Sequence, residues 1–384
     1  MPEIMIIAGE ASGDLHGAGL VRSMQRMATE YHFCGMGGNG LKQEGVEILV
    51  DAAKMAVVGI VEVLAHLRDI RAAMKTLEER LRAGRPSLLI LIDYPDFNLI
   101  LAAKARKLGI PVFYYISPQV WAWRSGRIKK IRRLVDRMAV ILPFEKEFYH
   151  LRGMEVDYVG HPLMDSVTTS MNKKNFLLRH DIPANKILVG ILPGSRRKEI
   201  RTMLPIFLEA AEKLSDRHKE LIFLLPLAPT LSHADLEDNG LRDVKLDIRV
   251  ISEHRYDLMA ACDLALAASG TVTLELAILD IPMVVSYRLS PLSHFLGHRF
   301  IKVKYASLVN LIADREIVPE LLQNEARADN IVRELRNLLP GKKQRDSMLA
   351  GLSRIRDRLG KGGASKRAAD LALETISRSK IRLT

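Results

Sequence analysis

The chain has 384 residues, of which 48% are hydrophobic and 27% charged, and carries a formal net charge of +12 with a pI near 9.6. That length exceeds what one hydrophobic core usually organises and suits two domains, while the positive balance favours anionic partners: phosphorylated ligands, an anionic membrane or nucleic acid. The two cysteines, Cys34 and Cys262, lie far apart in apolar settings; this excludes a disulfide framework or a cysteine metal site and points to a reducing, cytoplasmic compartment.

The first strand-like run, Ile4–Ala8, begins without a basic leader or cleavage site, so no signal peptide is expected. No apolar run approaches the ~20 residues that span a bilayer, so any membrane contact is peripheral. Strand-like runs then alternate with helical ones, the pattern of parallel sheets covered by helices on both faces. The first half offers Ile4–Ala8, Tyr31–Cys34, Leu88–Ile92, Val112–Ile116, Met138–Leu142 and Val156–Val159; the second offers Ile187–Leu192, Leu221–Leu227, Ile248–Ile251, Leu264–Ala267 and Met283–Ser286. The polar stretch 161–178 between them reads as a linker. The expected architecture is α/β, two Rossmann-like doubly wound domains at 1–165 and 166–340 facing each other across a cleft. Charged helices at 341–384 are expected to pack back on the first domain or on a partner subunit.

Ala8-Gly-Glu-Ala-Ser-Gly-Asp-Leu-His-Gly17 follows the first strand, but its glycines lack the spacing of a dinucleotide turn and no Gly-Lys-Ser/Thr of a P-loop is present. Glu10, Ser12 and Asp14 line this turn; Ser12 or Asp14 also suits a helix cap. The apolar stretch Met55–Leu67, with Val57, Val58 and Ile60, precedes Arg68, Arg71 and Lys75. It reads by default as a buried helix with a solvated end, and alternatively as a segment lying in a lipid interface.

Asp93-Tyr-Pro-Asp-Phe-Asn98 sets two carboxylates, Asp93 and Asp96, on a Pro-stiffened turn at a strand end, with Asn98 as candidate N-cap. A carboxylate near other acids or in an apolar cleft can take a proton from a hydroxyl. Ser117-Pro-Gln-Val-Trp-Ala-Trp-Arg124 places Trp121, Trp123 and Arg124 in one loop ahead of a basic helix, an apolar wall beside a phosphate-attracting rim.

In the second half, Leu192-Pro-Gly-Ser-Arg196 and Ala267-Ala-Ser-Gly-Thr-Val-Thr-Leu-Glu275 each run from a strand through a small-residue turn into a helix. Gly194 and Ser195 let backbone amides approach an anion, and Arg196 can fork onto phosphate oxygens. Ser269, Gly270, Thr271 and Thr273 form a second anion-suited helix start, and Glu275 in its first turn can accept from ribose hydroxyls. The role of Asn310 does not follow from spacing.

Taken with Leu142-Pro-Phe-Glu-Lys146, Val159-Gly-His-Pro162 and Ser307-Leu-Val-Asn-Leu-Ile312, these stretches resemble the lipid-A-disaccharide synthases, inverting glycosyltransferases of Gram-negative lipid A biosynthesis. The resemblance runs from the first strand to about Glu325. It implies a GT-B fold and transfer from UDP-2,3-diacylglucosamine to 2,3-diacylglucosamine 1-phosphate (lipid X), forming a β(1→6) bond and releasing UDP without cofactor or metal. It further implies Asp96, then Glu10, as the base, and Gly194–Arg196 with the 269–275 helix start on the diphosphate. Glu275 is then placed on the ribose and Asn310 near the donor. Trp121, Trp123, Arg124, Ser12 and the Val57–Ile60 stretch fall on the acceptor or lipid side, at the cytoplasmic face of the inner membrane; a homodimer stays open. A UDP-sugar epimerase of the same architecture is the enzymatic alternative, and a basic nucleic-acid-binding protein the non-enzymatic one, for which no reader motif is found.

Overall fold

The computed structural model describes residues 1–52, 67–122, 125–289 and 304–383. Two compact units divide the chain: Met1–Asp165 with Lys361–Thr384, and Ser166–Gly360.

The first unit is built on a seven-stranded parallel sheet in the order β3-β2-β1-β4-β5-β6-β7. Its strands are β1 Glu3–Ala8, β2 His32–Gly37, β3 Glu47–Asp51, β4 Leu88–Ile92, β5 Val112–Tyr115, β6 Arg137–Val140 and β7 Asp157–Tyr158. Every residue of β4 is buried, and so is every residue of β1 after Glu3, because helices cover both faces and leave no side for polar alternation. On one face Met5, Ile7, Leu89 and Leu91 join Leu77, Leu81 and Leu101 of the Leu67–Gly84 and Pro95–Lys107 helices in a single core. The Ala11–Met27 helix packs against the Ala364–Leu383 helix, which also touches β4, β5 and β6. Ala364, Ala368, Ala369 and Ala372 are fully buried, a small-residue stripe that permits this close approach. Gly35 has φ +148°, and a Cβ there would lie 1.9 Å from the Ile6 carbonyl oxygen, so only glycine fits where β2 passes β1.

The second unit repeats the plan with six parallel strands in the order β10-β9-β8-β11-β12-β13. They are β8 Ile187–Leu192, β9 Leu221–Pro226, β10 Ile248–Ile251, β11 Leu264–Ala267, β12 Met283–Tyr287 and β13 Glu320–Leu322. The Arg197–Ser215 helix packs on Ala328–Asn337, and Val272–Ile278 on Lys343–Leu359.

Three features differ from the sequence reading. β3 and β13 are short strands at sheet edges, where a half-covered segment needs no continuous apolar run. The stretch 341–384 is split: Lys343–Leu359 belongs to the second unit and only the Ala364–Leu383 helix joins the first. The 161–178 stretch carries two short helices, Leu163–Ser166 and Lys173–Arg179, and Asp257 accepts the backbone N–H groups of Ser170 and Met171 at 2.6 and 3.1 Å. Among the described residues no helix is long and apolar enough to cross a membrane.

Candidate active site

Each sheet has one point where the chain departs in opposite directions from adjacent strands, and open α/β sheets bind ligands beyond the carboxyl ends of those strands. In the first unit this lies between β1 and β4, whose ends are level because Ala8 pairs with Ile92. The turns leaving these strands meet: a Cβ on Gly9 would lie 2.5 Å from the Tyr94 ring. Asp93 and Tyr94 both adopt left-handed backbone, φ 42° and 45°. Such conformations cost on the order of 1–3 kcal/mol each in a non-glycine residue and persist where the surroundings enforce them. Here the Asn98 side-chain amide donates to the carbonyls of Ile92 and Asp93 at 3.2 and 2.7 Å, the Tyr114 hydroxyl donates to the Asp93 carbonyl, and the Asp93 N–H donates to Ile116 O at 3.2 Å. Asn98 is therefore not the N-cap expected from its spacing; Tyr94 takes that position, and Asn98 reaches back to hold the strained turn.

The Asp93 side chain is half-buried and near Glu10. Burial first and the negative charge of Glu10 second push its pKa up to about 7, against one backbone hydrogen bond from Tyr94. Glu10 is the N-cap of the Ala11–Met27 helix and makes no side-chain cap bond there. Asp96, one turn further on, is in a different setting: its side chain is 72% exposed and forms an ion pair with Arg127. Ser12 is exposed in the first turn of its helix. Asp14 accepts N–H groups from Gly38, Gly40 and Leu41 at 2.7, 2.8 and 3.1 Å, which caps the neighbouring Asn39–Gln43 helix. Trp121 is partly buried and its indole N–H donates to Glu145 at 3.2 Å. Val57, Val58, Ile60, Trp123 and Arg124 lie outside the described residues.

In the second unit the corresponding point lies between β8 and β11, with Leu192 paired to Ala267 and the Ala268 N–H donating to Leu192 O at 2.8 Å. The two turns singled out from the sequence thus leave neighbouring strands at the same edge. Gly194 has φ +119°, and a Cβ there would meet the Glu199 carboxylate at 2.3 Å. That carboxylate accepts the Ser195 and Arg196 N–H groups at 3.0 and 3.3 Å and lies 3.4 Å from the Arg196 guanidinium, closing a capping box on the Arg197–Ser215 helix. Ser195 and Arg196 are exposed.

The second turn is divided in its uses. Gly270 and Thr271 are exposed, and nothing stands within 4 Å of a Cβ on Gly270. The Ser269 hydroxyl instead donates to Ala306 O at 3.0 Å, and Thr273, fully buried, donates to Gly270 O at 2.9 Å. Those two hydroxyls hold the turn. Glu275 is buried, with Oε1 accepting from Arg255 at 2.7 Å and from the Tyr256 hydroxyl at 3.4 Å; burial raises its pKa, and Arg255 works against that rise. Asn310 is 0% exposed. Its amide nitrogen donates to Val318 O and Glu320 at 2.8 and 2.7 Å, and its oxygen accepts from Ile317 and Val318 at 2.7 and 3.0 Å. Its side chain therefore braces the segment before β13 and has no group turned outward. Sequence reasoning undervalued two carboxyls: Asp93, signalled by its place at the end of β4, and Glu145, which opens the helix after β6 and was signalled only by the Leu142–Lys146 stretch.

A family model described as lipid-A-disaccharide synthetase matches residues 4–374. The lipid-A-disaccharide synthase of Geobacter sulfurreducens is 47% identical over 375 residues, covering 98% of this chain and 97% of that protein. Among solved structures, the UDP-GlcNAc 2-epimerase from Neisseria meningitidis bound to UDP-GlcNAc superposes with a TM-score of 0.67 at 14% identity, covering 97% of this chain and 100% of that one. The calicheamicin glycosyltransferase CalG4 does so with a TM-score of 0.66 at 13% identity, covering 98% and 99%. At such identities the structural likeness speaks for the fold alone, which is the GT-B fold of two Rossmann-like domains.

Proposed function

The chain belongs to the lipid-A-disaccharide synthase family of glycosyltransferases, and from that premise we propose how its two units divide the work. The substrates are a nucleotide sugar, UDP-2,3-diacylglucosamine, and a lipid acceptor, 2,3-diacylglucosamine 1-phosphate. The acceptor's primary hydroxyl oxygen bonds to the anomeric carbon from the side opposite the diphosphate, the carbon–diphosphate bond breaks, and UDP departs with its electron pair. The anomeric centre inverts and the new linkage is β(1→6).

The hydroxyl proton goes to Asp93, and the observation that carries this reading is a carboxyl with pKa about 7 at the switch point of the first sheet. A base titrating near the working pH is ionised in a useful fraction of molecules and still basic enough to draw a proton. Burial, with repulsion from Glu10 second, keeps it there, and Glu10 is the second candidate. Asp96, the foremost candidate from sequence, is exposed and ion-paired with Arg127.

Departure of UDP leaves charge on the diphosphate. The Arg196 guanidinium and the exposed 270–271 turn receive it in this reading, the latter in the manner of anions at helix N-termini, and the guanidinium supplies positive charge that a metal would otherwise bring. Glu275, oriented by Arg255, accepts from the ribose. Asn310 serves the donor indirectly, by holding its segment. The acyl chains and headgroups fall to Ser12, Trp121, Trp123, Arg124 and the stretch with Val57, Val58 and Ile60, and the net charge of +12 favours an anionic inner-membrane surface on the cytoplasmic side. A homodimer is compatible with this reading.

Mass spectrometry of products from the two acylated sugars tests the function: a disaccharide 1-phosphate with equimolar UDP is expected, and UDP-sugar epimerisation without acceptor would overturn it. Replacing Val57, Val58 and Ile60 with Ser is expected to release the protein from anionic vesicles; undiminished binding would remove that surface from the reading.

A further inference from the structure

Glu145 opens the Glu145–His150 helix just beyond β6 and is 1% exposed. Burying a carboxylate is costly unless donors satisfy it, and here four converge. They divide by oxygen. Oε2 accepts the backbone N–H groups of Ile141 and Leu142 at 3.2 and 2.9 Å, the local task of shaping the strand-to-helix turn. Oε1 is spent on a different segment, accepting the Ser117 hydroxyl at 2.9 Å and the Trp121 indole N–H at 3.2 Å. The Tyr149 hydroxyl lies 2.9 Å from the Ser117 hydroxyl, and Trp121 meets Phe144 edge-to-face at 5.1 Å.

The loop so held continues from β5, and β5 also carries Tyr114, whose hydroxyl holds the Asp93 carbonyl. Tyr149 lies near enough to Tyr114 to influence its ionisation. Glu145 thus holds the tryptophan loop, while Tyr114, on the strand that leads into that loop, holds the Asp93 turn. A turn-shaping role alone would use one oxygen, as a glutamine can. The second oxygen has no task except to fix Ser117 and Trp121.

We propose that Glu145 is a positioning residue for the lipid acceptor, locking the Ser117–Ala122 loop and the Trp121 ring in the orientation that receives it. This rests on the reading that the first unit holds the acceptor. Burial pushes the Glu145 pKa up to about 7 against its four donors. The titratable groups around it are Tyr149 on its own helix and Tyr158 on β7, both raised by burial and by the Glu145 charge. Ser117 and Trp121, on the facing loop, do not titrate near neutrality.

Glu145→Gln tests this selectively. The amide oxygen can keep the Ile141 and Leu142 bonds, while the amide nitrogen confronts the Trp121 N–H, donor against donor. The expected result is an acceptor KM raised about tenfold, the scale of one buried hydrogen bond replaced by an unsatisfied group, with UDP affinity unchanged. The Trp121 indole N–H resonance, assigned with Trp121→Phe, is expected to titrate near pH 7 in the wild-type protein and to be flat in Glu145→Gln. Trp121→Phe should raise the acceptor KM similarly and add little to Glu145→Gln, because both remove the same contact; Ser117→Ala offers a milder version if the glutamine variant folds poorly. An unchanged acceptor KM in folded Glu145→Gln, or full additivity with Trp121→Phe, would overturn the proposal. A shifted resonance with only the donor KM raised would also overturn it, by moving the acceptor away from this loop. Failure of the wild-type protein to make disaccharide strikes the functional reading and leaves the resonance experiment intact.

Discussion

At the ends of β1 and β4 the first unit presents two neighbouring carboxyls, Glu10 and Asp93, the latter on a turn where two non-glycine residues are held in left-handed backbone. At the ends of β8 and β11 the second unit presents exposed small-residue turns and the Arg196 guanidinium, and there the left-handed residue is a glycine, Gly194. The sheets share one plan, and their switch points carry opposite charge. Strain is stored on the acidic side, where Asn98 and Tyr114 hold Asp93 in a position that raises its proton affinity. The other side is relaxed and capped, with Glu199 accepting the Ser195 and Arg196 N–H groups. The difference teaches that one architecture can gather acids on a strained turn at one switch point and a glycine-turned, capped helix start at the other.

The sharpest way to break this comparison is Asp93→Asn, which keeps size and removes basicity. Transfer is expected to fall by about 10³-fold, within the range of general-base losses, with UDP affinity by calorimetry unchanged; near-normal turnover would end the assignment. Next comes Arg196→Ala, expected to weaken UDP by about 10- to 100-fold, as loss of a charge-assisted contact does, while leaving acceptor KM alone. Unaltered UDP binding would detach the second switch point from the diphosphate.

The pH dependence follows with its sign fixed by the raised pKa. The base must be ionised, so kcat/KM should climb with pH up to about 7 and level off above it. Glu10→Gln removes the repulsion and should move that limb to lower pH; an unmoved limb would mean the carboxyl that titrates is not the neighbour of Glu10. The smallest effect belongs to Asp96→Asn, since its partner Arg127 forms an exposed ion pair worth at most about 1 kcal/mol. A turnover loss rivalling that of Asp93→Asn would return the base to Asp96.

Much of the frame was legible in the residues themselves. β1, β4, β8 and β11 stand out as apolar runs followed by small-residue turns, because strands covered on both faces leave no other signature. The 194–196 and 269–275 turns were recognisable for the same reason. Strand order was not legible, and it is strand order that brings Glu10 beside Asp93. The difference in setting between Asp93 and Asp96 was hidden too, since it depends on a backbone conformation held by Tyr114 from another strand. The Ser269 and Thr273 hydroxyls and the Asn310 amide looked available in a linear reading. Ala306, Gly270, Glu320 and the 317–318 backbone occupy them once the chain is folded. Glu145 sat in a stretch noted only for its resemblance, because a lone glutamate after a strand gives no sign of where its second oxygen points.

The return of the Ala364–Leu383 helix to the first unit bears on synthesis. Ribosomes complete β1 to β7 long before this helix emerges, and the intervening 166–360 must be translated first. Throughout that interval the nascent sheet lacks its alanine-striped cover over β4, β5 and β6, an exposed apolar face of the kind chaperones shield.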